Sequence, residues 1–78
     1  MMMPIPNGVL TGLNLKELRE KNHFTHQELA DCLHVTLQAT YRWEKGIIPK
    51  LDNLAFLAKL YHVTIDDLLV YDYVLITA

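Results

Sequence analysis

The sequence has one cysteine, Cys32, so no disulfide can close within the chain. A lone thiol fits a reducing compartment, and a cytoplasmic location is the expectation. Long apolar runs are missing as well. Hydrophobic residues make up 51% of the chain, enough for a core, yet no run approaches the roughly 18 residues that a membrane span needs. The opening MMMPIPNG has no basic n-region and no apolar h-region, so it does not read as a secretory signal. Metal-ligand spacing is also absent. His23, His26, His34, His62 and Cys32 never fall as two close pairs. There is no glycine-rich phosphate loop and no nucleophile elbow. The expectation is a protein that is not an enzyme, with no cofactor, no metal and no evident small-molecule substrate.

An excess of positive charge is lacking too. Seven Lys and Arg stand against nine Asp and Glu, a net charge of −2, whereas nucleic-acid-binding domains are usually basic. The balance is uneven along the chain. Residues 1–50 carry six basic and five acidic side chains, hence +1, and residues 51–78 carry Lys59 against four acidic ones, hence −3. A duplex-binding surface would have to lie in the first part, with few phosphate contacts and a shallow salt dependence.

What is present is helical patterning in a single small domain. A chain of 78 residues buries only roughly 60% of its unfolded surface. Thr25 is an N-cap, and Glu28 three residues on completes a capping box. Leu29, Ala30 and Leu33 then share one helical face, and Phe24 before the cap acts as a hydrophobic staple. His34 sits in a turn, Val35 plugs it, and Thr36 caps a second helix from Leu37 to Glu44. Gly46 lies just past its end. Helix, tight turn, helix, with the second helix polar outside, is an arrangement that places the second helix in the DNA major groove.

The run Leu15–Leu69 resembles the XRE family, the bacterial and phage repressor and Cro type of helix-turn-helix. The matching residues are LREK at 18–21, T-x-x-E-L-A at 25–30, Val35-Thr36, W-E-K-G at 43–46, Pro49 and V-T-I-D-D-L-L at 63–69. The resemblance implies an all-α, five-helix, repressor-like domain. It implies an ion pair between Arg19 and Glu44 that locks the first helix to the third; the plain alternative is a surface arginine paired along its own helix. It also turns His26 and Gln27, at the start of the second helix, toward the DNA backbone; otherwise they are two solvated residues. Three departures stand out. His34 replaces the usual turn glycine, and Thr40 takes a core position normally held by Ile or Val, so its hydroxyl needs a partner such as a carbonyl one turn earlier. Ile47-Ile48 replace a loop often rich in Lys, Arg or Asn and suggest core packing or a protein contact.

On the outer face of the third helix, Gln38 is the first candidate for a base contact, because its amide can pair twice with adenine. Arg42 can reach guanine or a phosphate. Thr36 and Tyr41 offer hydroxyls to phosphates, Leu37 an apolar contact to a thymine methyl, and Lys45 a charge. The bland alternative is the wet face of an amphipathic helix.

Met1 to Leu13 reads as a flexible arm, with Pro4, Pro6 and Gly8 as turn or extended residues. The domain is expected over 14–69, its first helix capped at Asn14, with helix four over Asp52–Tyr61 and a fifth helix closing the core through Ile65, Leu68 and Leu69. The tail 70–78 is β-branched and aromatic and reads as a strand. Its partner would be Val9-Leu10 or the same tail of a second subunit. The functional expectation is a sequence-specific double-stranded DNA-binding transcriptional regulator, a repressor, acting as a homodimer, with no membrane partner. The alternative is a helix-turn-helix-fold interaction module, antitoxin-like or a regulatory subunit, with weak or no DNA binding.

Overall fold

The computed structural model describes residues 1–77. Its elements are β1 (Met2–Pro6), α1 (Gly8–Lys21), α2 (His26–Leu33), α3 (Leu37–Glu44), α4 (Leu51–Tyr61), α5 (Ile65–Leu68) and β2 (Tyr71–Leu75). Four of the five helices start on a side chain that satisfies a free N–H of the first turn. Asn7 accepts from Leu10, Thr25 from Glu28, Thr36 from Ala39 and Thr64 from Asp67. Glu28 and Asp67 return the bond to Thr25 N and Thr64 N at 3.0 Å, completing two capping boxes. Chain reversals after α1, α2 and α4 place His23, His34 and His62 at φ of 61°, 53° and 57°. Histidine tolerates this left-handed region better than most residues, at some strain.

Apolar side chains from all five helices close on one core. Leu15 of α1, Leu29 and Leu33 of α2, Trp43 of α3, Leu54, Leu57, Ala58 and Tyr61 of α4, and Leu68 of α5 are buried together. Ile48 packs against this core while Ile47 stays 62% exposed.

The N-terminal region departs from the sequence expectation. Residues 1–13 are not a free arm, and the first helix does not wait for Asn14. It begins at Gly8, capped by Asn7, so Val9 and Leu10 are helical. The glycines that suggest a break instead permit close packing. A Cβ on Gly12 would lie 2.7 Å from the Glu44 carbonyl oxygen and 2.8 Å from that of Trp43, and one on Gly8 would strike the Gly46 carbonyl. Asn14 spends its amide elsewhere, donating to the carbonyls of Asp67 and Leu68, both at 3.0 Å.

The fold is therefore helical but not purely so. β2 pairs antiparallel with β1 in a two-stranded ribbon, in register from Met2↔Leu75 to Pro6↔Tyr71. The strand expected in the tail forms, with Met2–Pro6 as its partner instead of Val9-Leu10; Ala78 lies outside the described residues. Buried Thr11 clasps the ribbon's base, its Oγ1 accepting from Val70 N at 3.0 Å. The ribbon stands off the helices: all of β1 is exposed, and within β2 only Tyr71 is partly buried. The molecule is 46 Å long against widths of 23 and 20 Å.

Candidate nucleic-acid interface

The turn between α2 and α3 sets the site. Ala30 is buried, and its carbonyl accepts from Val35 N at 3.1 Å across the left-handed His34. Thr36 then starts α3. The helix divides cleanly into inner and outer faces. Thr40 and Trp43 point inward and are buried, while Leu37, Gln38, Tyr41 and Arg42 are exposed, as are the flanking Thr36 and Lys45. Six of the sequence-derived candidates thus share one solvent-facing surface. Gln38, Tyr41, Arg42 and Lys45 line one shallow depression along it.

Three interactions hold that surface at a fixed angle. Arg19 Nε donates to Glu44 Oε2 at 2.7 Å and Nη2 to Oε1 at 3.3 Å, while Nη1 donates to the Phe24 carbonyl at 2.9 Å. These bonds tie α1, the residue before the α2 cap and the end of α3 together. The guanidinium's pKa is raised by its bond to Glu44, so it stays charged. Thr40 Oγ1 donates to the Leu37 carbonyl one turn back at 2.7 Å, which satisfies a fully buried hydroxyl.

The third interaction involves His26. It is not a solvated residue at a helix start. Its ring stacks on Tyr41 with centroids 3.9 Å apart and planes at 21°. Nδ1 lies 3.3 Å from Thr40 Oγ1 and Nε2 lies 3.5 Å from Glu44 Oε1. Burial lowers the imidazole pKa, with Arg19 and Lys16 adding to the effect and Glu44 opposing it. His26 therefore positions the Tyr41 ring at the rim of the exposed face. Gln27 is exposed, but its amide donates along α2 to Asp31 at 2.9 Å. Both residues remain next to the α3 surface; neither has an idle side chain.

Lys16 is a residue that sequence reasoning missed. With Lys45 it flanks a cleft whose walls also include Leu13, Arg19, His26, Tyr41 and Glu44. The available signal was its position three residues before Arg19, which puts both on one face of α1. Among the described residues no group of three or more His, Cys, Asp or Glu side chains is placed to hold a metal ion. No helix among them is long and apolar enough to cross a membrane.

Known proteins are similar to this chain. A family model described as helix-turn-helix matches residues 15–68. The chain is 38% identical over 56 residues to the HTH-type transcriptional activator BcrR of Enterococcus faecalis, covering 70% of this chain and 28% of that protein. Two solved structures are similar. One is the crystal structure of FeII HppE, with a TM-score of 0.72, 26% identity, and coverage of 81% of this chain and 34% of that one. The other is Fe(II)-HppE with the alternative substrate (S)-1-HPP, with a TM-score of 0.73, 26% identity, and coverage of 82% and 34%. The chain spans about a quarter to a third of the length of these relatives.

Proposed function

The chain belongs to the helix-turn-helix family, in its XRE type, and from that premise we propose that it is a transcriptional regulator that reads sequence in double-stranded DNA as a homodimer in the cytoplasm. It acts as a repressor and not as an enzyme. The observation that carries this reading is the exposed outer face of α3, which no other described element covers. That face offers an amide for base edges (Gln38), a guanidinium (Arg42), an apolar methyl contact (Leu37) and hydroxyls (Thr36, Tyr41) within two turns of helix. Lys16, Lys45 and the start of α2 flank it, as phosphate contacts would require. The likeness to HppE covers about a third of that chain and bears on this domain alone.

Selection of bound duplexes from a random pool tests the reading. A defined consensus should emerge, and Gln38→Ala should relax one position of it by about 1–3 kcal/mol. The resemblance to repressors supports repression, whereas the similar Enterococcus faecalis protein is named an activator; a reporter carrying the selected site decides the sign. The second reading, an interaction module, is favoured by the net charge of −2 and the exposed apolar ribbon. Absence of binding to pooled duplex even at low salt would favour it instead.

A further inference from the structure

The ribbon leaves one edge open and the other shut. Asn7 N–H donates to the Val70 carbonyl at 2.7 Å, and Ile76 N–H to that of Met1 at 2.8 Å. In an antiparallel ladder bonded pairs alternate with unbonded ones. The register therefore turns the backbone groups of Met2, Pro4 and Pro6 away from β2, and those of Tyr71, Tyr73 and Leu75 away from β1. On β1, two of those three outward residues are prolines, with no N–H to offer and a ring in its place. Proline on an edge is a recognised protection against strand addition. On β2, all three outward residues carry a donor and an acceptor. No third strand pairs with β2 among the described residues.

Charge narrows the occupant. The strands contain no Lys or Arg, and their one ionisable carboxylate, Asp72, accepts from Asn7 Nδ2 at 2.8 Å. Such a surface does not attract nucleic acid. The large apolar side chains here run from Val74 at 37% to Met1 at 79% exposed. Apolar side chains left open in a contiguous group mark a contact with protein.

We propose that the β2 edge pairs with β2 of a second copy, antiparallel about a two-fold axis at Tyr73, giving the sheet order β1-β2-β2-β1. This deepens the dimeric reading above and rests on it. The axis position follows from the hydrogen bonds. Centred on Tyr73, Tyr71 faces the partner's Leu75 and Tyr73 faces the partner's Tyr73, so every outward group of β2 is used. Moving the axis to Asp72 or Val74 leaves an outward residue of each strand unmatched, and at Asp72 it also sets two carboxylates face to face. The assembly stops at two copies, because the outer edges of the new sheet are the proline edges of β1.

Sedimentation of the full chain at about 1–200 µM tests this, with Tyr73→Pro and Met2→Pro beside the wild type. Both substitutions remove an outward N–H and leave the β1–β2 ladder whole. Wild type and Met2→Pro should sediment as dimers, and Tyr73→Pro as a monomer with an unchanged helical circular dichroism spectrum. Should Tyr73→Pro misfold, amide exchange on the wild type replaces it: Tyr73 and Leu75 N–H should slow as concentration rises. A monomeric wild type overturns the proposal and leaves the edge to another protein or to a segment of a longer chain. So do a dimer insensitive to Tyr73→Pro, an assembly larger than two, or concentration-independent exchange at Tyr73. Duplex binding, measured on the same samples, separates the two readings. A dimer that ignores DNA keeps this proposal and removes the DNA reading, whereas a monomer that binds DNA does the reverse.

Discussion

Arg19 and Glu44 show how one pair of side chains fixes a functional surface. Their side chains are only 11% and 10% exposed, so removing one strands the other's charge in a poorly solvated place. Glu44→Ala should cost about 3–5 kcal/mol in urea unfolding, whereas exposed ion pairs contribute about 1 kcal/mol or less. His26 gives the site a pH dependence. Its folded pKa is lowered chiefly by burial, so the unfolded chain binds the proton more readily. Stability from this group is complete above about pH 6.5 and falls as the pH drops toward the folded pKa. His26→Gln should flatten that part of a stability–pH curve measured by thermal melts. If the slope is unchanged, the burial of the ring is not what matters. Tyr41 should lose its ordered position in the same variant, readable as a change in its ring proton shifts.

At the level of elements, the crossing of α1 over the end of α3 depends on a missing side chain. An exposed helical Gly→Ala change gains about 1 kcal/mol. At Gly12 the new Cβ would meet two backbone oxygens that cannot move aside, and overpacking of that kind costs about 1–3 kcal/mol or more. Gly12→Ala should therefore lower the denaturation midpoint despite its better propensity. The same residue explains where sequence reading ended. The α2–turn–α3 unit was legible because its signals are local: Thr25, Glu28 and Thr36 at caps, and Leu29, Ala30 and Leu33 on one face. The start of α1 was not, because Gly8 and Gly12 look like breakers until the Gly46 and Glu44 carbonyls are placed against them. The tail's extended character was visible in its β-branched residues. Its pairing with Met2–Pro6 depends on long-range register, which no local pattern carries. The wedging of His26 between Tyr41, Thr40 and Glu44 was likewise invisible, since those residues meet only after α2 and α3 dock.

For the molecule as a whole, charge sets the expected behaviour on DNA. Lys16, Arg42, Lys45 and Lys50 lie around the α3 side, where Arg19 is already paired with Glu44. The slope of log Kobs against log salt should be about −3 to −4 per domain, and Lys16→Ala should make it shallower by about 1. A slope near zero from fluorescence anisotropy titrations would remove the phosphate role of these residues. The ribbon has one more consequence, apart from any partner. Ile76 N–H donates to the Met1 carbonyl at its tip, so these two residues lie side by side. A short linker from Ile76 to Met1, with new ends cut at the exposed turn around His23, would give a circular permutant in which every helix keeps its neighbours.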